Sequence, residues 1–456
     1  MEDNKVRQPL YLGFLILFLL LIVSFVKIDY EFWGLQIRQV DILADLKPEP
    51  IEDEYYNQNN FHPNIFELYP ATYNYAGIGV FNEAPLQGQL EPLSGNVSQL
   101  KPFFDALKNA KSKTVRIAHY GDSGIEGDLI TADVREALQD KFGGNGVGWL
   151  GITSQDISFR TTTKHSFSSN WESAAFYSSN PKNYPLGMSG ECFVPKATGA
   201  WVQYETTRAR RSLKDFSTVK LYYANAKPST INYSFDGGAK QTVALKTGKD
   251  LQELVLKPSG RAKSIKIEVT QTDQAYFYGV SLENETGVYV DNLPLRGNTG
   301  VDLANIDEGL LKQFSKHMDY KLVVLEFGLN IAGTRKTDYS WYEREMVKVV
   351  DHVKRAFPSA GILMVTVQDK GMKKGTSFVS DPAILSLLEA QKNIAKQSNV
   401  AYWNLFEAMG GQSSMVKWVN ANPPLAFKDY IHFNGQGAAK VAKLFTDALL
   451  DSYNKR

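Results

Sequence analysis

Strand-like and helical patterns alternate in two stretches of this chain, and a long segment with strand patterns alone separates the stretches. The first begins with the apolar run KTVRIAHYG, residues 113–121, followed by helically spaced apolar residues and a Gly-Gly pair. The second covers residues 286–456. Its helical patterns lie over 302–318, 338–356 and 382–398 and after Asn434. Strands that alternate with helices predict an α/β domain, a doubly wound parallel sheet covered on both faces.

The separating segment, residues 155–285, has the alternation of a β domain. Ile231, Tyr233 and Phe235 lead into the turn pair Asp236-Gly237, and similar alternating runs follow at 265–269 and 276–282. Short strands bounded by turn residues are typical of a β-sandwich, and roughly 130 residues is an ordinary size for one domain. We therefore predict a β-sandwich inserted into an exposed loop of the α/β domain.

The first residues have a different character. Residues 8–26, QPLYLGFLILFLLLIVSFV, contain no charge, and as a helix they would reach roughly 28 Å, close to the thickness of a bilayer core. Bulky residues follow where a signal peptidase would need small ones, which favours an uncleaved transmembrane anchor with its N-terminus inside. The predicted organisation is a cytoplasmic tail and anchor (1–27), a stalk (28–95), the first part of the α/β domain (96–154), the inserted sandwich (155–285) and the second part (286–456).

Charge and cysteine content exclude several classes of function. The chain has 50 basic and 49 acidic residues and no basic tract, so nothing indicates a nucleic-acid partner. Cys192 is the only cysteine, and the six histidines are scattered without the spacing of a metal site. We expect neither a disulfide nor a metal centre.

Polar residues cluster in the loops that follow the predicted parallel strands. Such loops converge on one crevice at the carboxyl ends of the strands. The clusters are Gly121-Asp122-Ser123 after the first strand, RGNTG at 296–300 after the second, FGLN ending at Asn330 after the third, and KDYIHFNGQG with Asp429 and His432 before the last helix.

These residue types meet the needs of serine hydrolysis. The reaction needs a hydroxyl, an imidazole to take its proton, a carboxylate to orient the imidazole, and donors for an oxyanion. Ser123, His432 and Asp429 supply the first three, and Asn330 with Gly300 supplies donors. The choice of Gly300 rests on spacing within GNTG, and Gly297 remains the alternative. The turn Gly-Asp-Ser-Gly-Ile lacks the G-x-S-x-G elbow of α/β-hydrolases; Asp122 is assigned to holding the turn and His119 to packing.

In the order of these blocks the chain resembles the SGNH (GDSL) hydrolase superfamily, over residues 96–155 and 286–456. The resemblance implies a flavodoxin-like sheet, Ser123, Gly300, Asn330 and His432 as the four namesake residues, Asp429 in the Asp-x-x-His pair, and no cofactor or metal. It further implies an oxyanion hole of the Ser123 and Gly300 amides and the Asn330 side chain. The chain is also similar to extracytoplasmic polysaccharide and peptidoglycan O-acetylesterases that carry an inserted module like those that bind carbohydrate. Some of those relatives have histidine directly after the nucleophile, where this chain has Gly124.

The function that this resemblance implies is that of a membrane-anchored serine esterase. It would remove O-acetyl groups from a cell-envelope glycan on the periplasmic or extracellular side, through an acyl-Ser123 intermediate. An O-acetyltransferase with the same triad, served by an integral membrane partner that delivers acetyl groups, is the nearest alternative. A catalytically inactive glycan-binding protein is the third. Trp171 and Trp201 are candidate aromatic contacts for a sugar in the insert, although single aromatics are more often core residues.

Overall fold

The computed structural model describes the backbone of residues 30–32 and 35–37, and residues 90–158, 160–271, 275–284, 286–333 and 337–456. The predicted anchor, residues 1–27, and most of the predicted stalk lie outside these ranges. Within the described ranges, no helix combines the length and the apolar character that crossing a bilayer requires. The chain divides into two compact units, residues 1–68 and 69–456, and the first contains an antiparallel pair of short strands at 30–32 and 35–37.

The described strands and helices are numbered in chain order. The strands are β1 (Tyr30–Phe32), β2 (Leu35–Ile37), β3 (Ser94–Gly95), β4 (Thr114–Gly121), β5 (Gly148–Leu150), β6 (Thr163–Phe167), β7 (Trp171–Ala175), β8 (Glu191–Pro195), β9 (Ala200–Thr206), β10 (Thr218–Ala224), β11 (Thr230–Phe235), β12 (Gln241–Ala244), β13 (Gln252–Leu256), β14 (Ser264–Gln271), β15 (Tyr276–Glu283), β16 (Gly287–Pro294), β17 (Tyr320–Glu326), β18 (Gly361–Val365), β19 (Gly371–Lys374), β20 (Ser377–Ser380) and β21 (Ala401–Trp403). The helices are α1 (Lys101–Leu107), α2 (Thr131–Phe142), α3 (Glu308–Met318), α4 (Ser340–Ala356), α5 (Ala383–Gln397), α6 (Leu405–Ala408), α7 (Ser414–Val419) and α8 (Gly435–Asn454).

A parallel sheet forms the centre of the α/β domain. Its strand order is β16-β4-β17-β18-β21-β3, and the edge strand β3 alone runs antiparallel to its neighbour. Counted from β4, the parallel strands stand in the order 2-1-3-4-5, which is the flavodoxin-like arrangement. The strands are continuous apolar runs such as Leu322–Leu325, all buried, because helices cover both faces of the sheet.

Two layers of helices bury these faces. Helices α3, α4 and α5 pack on one face through stripes spaced three and four residues apart, as with Met346, Val349, Val350 and Val353 of α4. Helices α1, α2 and α8 cover the other face. Asn434 caps α8, since its side-chain oxygen accepts hydrogen bonds from the amides of Gln436 and Gly437, each at 3.0 Å. This cap fixes where the loop carrying His432 ends.

The inserted segment forms two antiparallel sheets around their own apolar core. One has the order β13-β10-β15-β8-β7 with β5 added on β15, and the other the order β12-β11-β14-β9-β6. Asp236 and Gly237 both have positive φ, 51° and 69°, as a tight hairpin turn requires. Because β5 at 148–150 pairs with β15, the sandwich begins before residue 155, where the sequence pattern had placed its boundary.

A buried charge cluster joins the sandwich to the parallel sheet. Arg116 on β4 contacts Glu283 of the sandwich, and its Nη1 lies 2.9 Å from Oδ2 of Asp291 on β16. Asp291 also accepts hydrogen bonds from the Tyr320 hydroxyl (2.7 Å) and from the Trp149 amide (2.9 Å). Removing one partner of a buried ion pair typically costs about 3–5 kcal/mol. The cluster therefore holds the sandwich in a defined position on the sheet.

Candidate active site

Ser123 lies on a tight turn directly after β4. The turn is held by Asp122, whose Oδ1 accepts a hydrogen bond of 2.9 Å from the Gly124 amide. Gly121 leaves room for this turn: a Cβ there would lie 2.9 Å from the Ile125 side chain and 3.1 Å from the Glu326 carbonyl oxygen. Burial, with a smaller contribution from the nearby Glu326 carboxylate, raises the pKa of Asp122 to about 7. The assignment of Asp122 to the turn agrees with these contacts.

His432 and Asp429 lie in the loop before α8 and reach Ser123 across the sheet edge. The Ser123 Oγ is 3.3 Å from His432 Nε2, and His432 Nδ1 is 2.7 Å from Asp429 Oδ2. The first distance is somewhat long, and catalytic hydrogen bonds of this kind commonly tighten when substrate binds. The structure thus brings together the three residues that the sequence indicates as nucleophile, base and orienting acid.

Asp429 is fixed from a second side by the backbone. Its Oδ1 accepts hydrogen bonds from the amides of Ile431 (2.9 Å) and His432 (3.1 Å). Burial works to raise the pKa of Asp429, but the hydrogen bonds from His432 and Ile431 outweigh it, and the net pKa lies below the usual value. Asp429 is therefore ionised at neutral pH, which favours the His432 tautomer with a proton on Nδ1 and an acceptor at Nε2, the atom that faces Ser123 Oγ.

Asn330 follows β17 and points its amide toward the serine turn. Its Nδ2 donates to Asp122 Oδ2 at 3.2 Å and to the Asn298 carbonyl oxygen at 3.0 Å. These bonds join the loops after β4, β16 and β17 at the carboxyl edge of the sheet. Asn330 thus lies where the sequence places it, and its side-chain amide is the donor type that an oxyanion site uses.

The Gly300 amide, predicted as an oxyanion donor, already has a hydrogen-bond acceptor within its own loop. Its amide donates a 2.7 Å hydrogen bond to Asn298 Oδ1. A Cβ at Gly300, where φ is +92°, would lie 2.8 Å from the Phe327 ring. The Gly300 amide is therefore bonded within the turn, and the turn leaves no room for a side chain at this position. To serve as an oxyanion donor, the Gly300 amide would have to exchange its bond to Asn298, so the assignment of Gly300 stays a prediction.

Gly297, the alternative, lies in an open part of the same loop. Its φ is +72°, and a Cβ there would meet no atom within 4 Å. Its neighbours in sequence hold it beside the site: Arg296 Nε lies 2.7 Å from Glu126 Oε2 in the serine turn, and the Asn298 carbonyl accepts from Asn330. Gly297 and Gly300 therefore both stay candidates for the second backbone donor.

Several residues beside the site are not predicted from the sequence to belong to it. Glu126 and Arg296 form an ion pair that joins the serine turn to the GNTG loop, and Asn298 positions both Gly300 and Asn330. Arg296 and Asn298 stand in the RGNTG loop and Glu126 follows Ser123 by three residues, but their pairing depends on contacts between distant parts of the chain. His119 is packed, as expected: it is 1% exposed, and its Nε2 lies 2.7 Å from Glu326 Oε2.

The tryptophans of the insert provide no exposed stacking platform. Trp171 is 7% exposed and packs edge-on against Phe277 in the sandwich core. Trp201 is half-buried, and the Lys266 ammonium lies 4.2 Å from its ring centroid. Cys192 is fully buried, and burial raises the pKa of its thiol, so it is a core residue and not a nucleophile.

Comparison with known proteins also indicates a hydrolase. Residues 269–440 match the GDSL-like Lipase/Acylhydrolase family, a range that includes Asn330, Asp429 and His432. Among solved structures, a peptidoglycan O-acetylesterase matches 80% of this chain and 99% of its own at 21% identity, with a TM-score of 0.66. A family two carbohydrate esterase from Cellvibrio japonicus matches 64% of this chain and 99% of its own at 11% identity, with a TM-score of 0.27. No curated protein sequence matches the chain.

The parallel sheet and the hydrogen-bonded serine, histidine and aspartate at its carboxyl edge define a serine hydrolase of the esterase class. The part of the chain that matches a family, residues 269–440, is similar to the GDSL-like Lipase/Acylhydrolase family.

Proposed function

We propose that this protein is an O-acetylesterase that removes acetyl groups from a cell-envelope glycan. The observation that carries the proposal is the chain of contacts from Ser123 through His432 to Asp429, at 3.3 and 2.7 Å. Support for an acetylated glycan as substrate comes from the fold shared with a peptidoglycan O-acetylesterase over 80% of this chain. The shared region includes most of the described residues.

The proposed reaction starts when Ser123 Oγ attacks the acetyl carbonyl carbon while His432 Nε2 takes the hydroxyl proton. Asp429 stabilises the imidazolium that forms. The Ser123 amide, the amide of one of the two candidate glycines and the Asn330 side chain donate to the developing oxyanion, and Asn330 exchanges one of its present bonds for this contact. The C–O bond to the sugar then breaks, His432 returns the proton to the sugar oxygen, and acetyl-Ser123 remains. Water attacks this ester with His432 again as base, which releases acetate and restores Ser123.

The experiment that tests this function is acetate release from a panel of acetylated glycans, including O-acetylated peptidoglycan and acetylated xylan. Each glycan is incubated with the full chain and with Ser123→Ala, and with and without an unacetylated acceptor. Acetate release by the wild type alone supports the proposal. Acetyl transfer to the acceptor as the main product would replace it with a transferase, since a transferase holds the acceptor hydroxyl in line and excludes water. No release from any glycan would contradict it.

The proposal includes location at the outer side of the cytoplasmic membrane. Its support is the uncharged run at residues 8–26, long enough for a transmembrane helix. Full-length protein is expected in the membrane fraction and accessible to protease added to spheroplasts, whereas a chain without residues 1–27 is expected in the soluble fraction. Full-length protein in the soluble fraction would contradict the anchor and leave the esterase proposal intact.

A further inference from the structure

A cavity lies between the β-sandwich and the turn that carries Ser123. Its volume, measured as the space open to the centre of a water-sized sphere, is about 100 Å³, and it is partly open to solvent. The α/β domain and the sandwich both contribute polar side chains to its wall. Those used below are Glu126, Asn292 and Arg296 from the first, and Arg160, Asp156 and Glu191 from the second.

The cavity wall is continuous with the catalytic turn. Glu126 is the third residue after Ser123, and its ion pair with Arg296 closes this side of the cavity. Asn292 donates a 2.8 Å hydrogen bond to the Ile125 carbonyl oxygen. A group bound in the cavity would therefore lie alongside the serine turn and next to the GNTG loop, as expected for the sugar next to the one that carries the acetyl group.

Arg160 supplies a positive charge to this wall. Its Nη2 donates a 2.8 Å hydrogen bond to Asn292 Oδ1, while its Nη1 is buried and has no hydrogen-bond partner among the described residues. The negative charge of Asp128 is close enough to act on Arg160. However, Asp128 already forms an ion pair with Arg135 and accepts a hydrogen bond from the Thr131 hydroxyl at 2.7 Å. Arg160 therefore contributes to the cavity wall a guanidinium whose hydrogen bond goes to the neutral amide of Asn292, and no described carboxylate pairs with it directly.

The acidic groups of the cavity have partners of their own. Glu126 is neutralised by Arg296. Asp156 Oδ1 accepts from the amide and the hydroxyl of Ser158, at 2.8 and 2.6 Å. Glu191 accepts the Tyr177 hydroxyl at 2.6 Å, and burial raises its pKa to about 7, so it carries less than a full charge at neutral pH. The charge of Arg160 is therefore the one best placed to attract an anion.

We propose that this cavity is a substrate subsite that binds a carboxylate carried by the glycan, with Arg160 as the binding group. The substrate class is then an acetylated polysaccharide that contains acidic sugars, with a uronic acid adjacent to the acetylated residue. A guanidinium suits this task because its fork of N–H donors matches the two oxygens of a carboxylate. The inference rests on the proposed esterase function and specifies its substrate.

The test compares acetylated polygalacturonate with acetylated xylan, an uncharged partner, for the wild type, Arg160→Gln and Arg160→Lys. We expect the ratio of kcat/KM for the acidic glycan to that for xylan to fall about tenfold to a hundredfold in Arg160→Gln. Arg160→Lys keeps the positive charge but lacks the forked donors, so its ratio should lie between those of the wild type and Arg160→Gln. Arg261→Gln removes another arginine of the sandwich, paired at the surface with Asp215 and outside the cavity wall, and should leave the ratio unchanged.

A binding measurement separates this inference from the esterase proposal. Unacetylated trigalacturonate is tested as an inhibitor of p-nitrophenyl acetate hydrolysis, with xylotriose and inorganic sulfate as controls. We expect trigalacturonate to inhibit at lower concentration than either control, and its inhibition constant to rise at least tenfold in Arg160→Gln. Equal inhibition by sulfate, or an unchanged ratio and inhibition constant in Arg160→Gln, would overturn the subsite. Failure to release acetate from any glycan, with reporter hydrolysis intact, would contradict the glycan esterase instead.

Discussion

Replacing Asp429 with asparagine tests the triad with almost no change of shape. Asp429 serves two sides at once: Oδ2 lies 2.7 Å from His432 Nδ1, and Oδ1 accepts from the amides of Ile431 and His432 at 2.9 and 3.1 Å. An asparagine offers one oxygen and one NH₂ group to these two sides. Its orientation therefore decides which tautomer His432 adopts.

The hydrogen bonds decide that orientation. With its NH₂ toward the backbone, the introduced asparagine side chain would leave two part-buried amides without an acceptor, at about 1–3 kcal/mol each. With its oxygen toward the backbone it keeps both of these bonds, and its NH₂ meets His432 Nδ1. The imidazole then carries its proton on Nε2 and cannot accept one from Ser123. The second arrangement is favoured by several kcal/mol, so the variant is folded and its base is blocked.

We expect kcat for p-nitrophenyl acetate to fall about 10⁴-fold in Asp429→Asn, as in other triads that lose the correct tautomer, or about 5 kcal/mol of transition-state stabilisation. The thermal midpoint should remain close to that of the wild type. Asp447→Asn, which alters a surface ion pair on α8, is the matched control and should keep full activity. An Asp429→Asn variant with more than a tenth of wild-type activity would show that Asp429 does not orient the base.

Four further predictions, made on five substitutions, extend the test. Ser123→Ala should abolish reporter hydrolysis, measured beside an unchanged circular dichroism spectrum, and wild-type turnover in this variant would exclude a serine mechanism. Asn330→Ala should lower kcat about 10²- to 10³-fold with little change in KM, and a change confined to KM would exclude it from the oxyanion site. Gly300→Ala should lower the free energy of unfolding in urea more than Gly297→Ala. Both glycines have positive φ, but only the Cβ added at position 300 would contact Phe327, at 2.8 Å. Equal losses would contradict this packing. The pKa of Asp122 is raised to about 7 in the folded protein, so the protonated side chain stabilises the fold. As pH rises from about 4 to about 7, the free energy of unfolding of the wild type should therefore fall by up to about 4 kcal/mol relative to that of Asp122→Asn. A pH-independent difference would contradict the raised pKa.

The sequence predicts the elements of the parallel domain well because their apolar periods are long and clear. The helix predicted over 338–356 is observed at Ser340–Ala356, and the one over 382–398 at Ala383–Gln397. The apolar run VAYWNLF, residues 400–406, has a strand-like pattern, but the strand ends at Trp403. Asn404 there caps α6 by accepting a 3.2 Å hydrogen bond from the Glu407 amide, and an Asn followed three residues later by Glu is a signal of a helix start.

The candidate catalytic residues can be grouped from the sequence for a related reason. Parallel strands bring their following loops to one edge, so Ser123, Asn330, Asp429 and His432 can be grouped from chain order alone. The choice between two glycines in one loop is different, because it depends on which amide already donates to Asn298. Such a choice follows from individual hydrogen bonds, which periodicity and spacing do not contain.

The position of the insert explains why its contacts with a glycan would come from the cavity and not from exposed aromatics. The sandwich follows α2 in the chain, and its last strand, β15, ending at Glu283, is followed by β16 of the parallel sheet, beginning at Gly287. The buried cluster of Arg116, Glu283 and Asp291 fixes it at this junction, so the wall that carries Arg160 is held against the serine turn. A sandwich joined only by a flexible linker would need its own exposed binding face, yet Trp171 is buried and the Lys266 ammonium lies over the ring of Trp201. The rigid junction favours an insert that completes the active-site cleft over one that tethers the enzyme to its polymer at a distance.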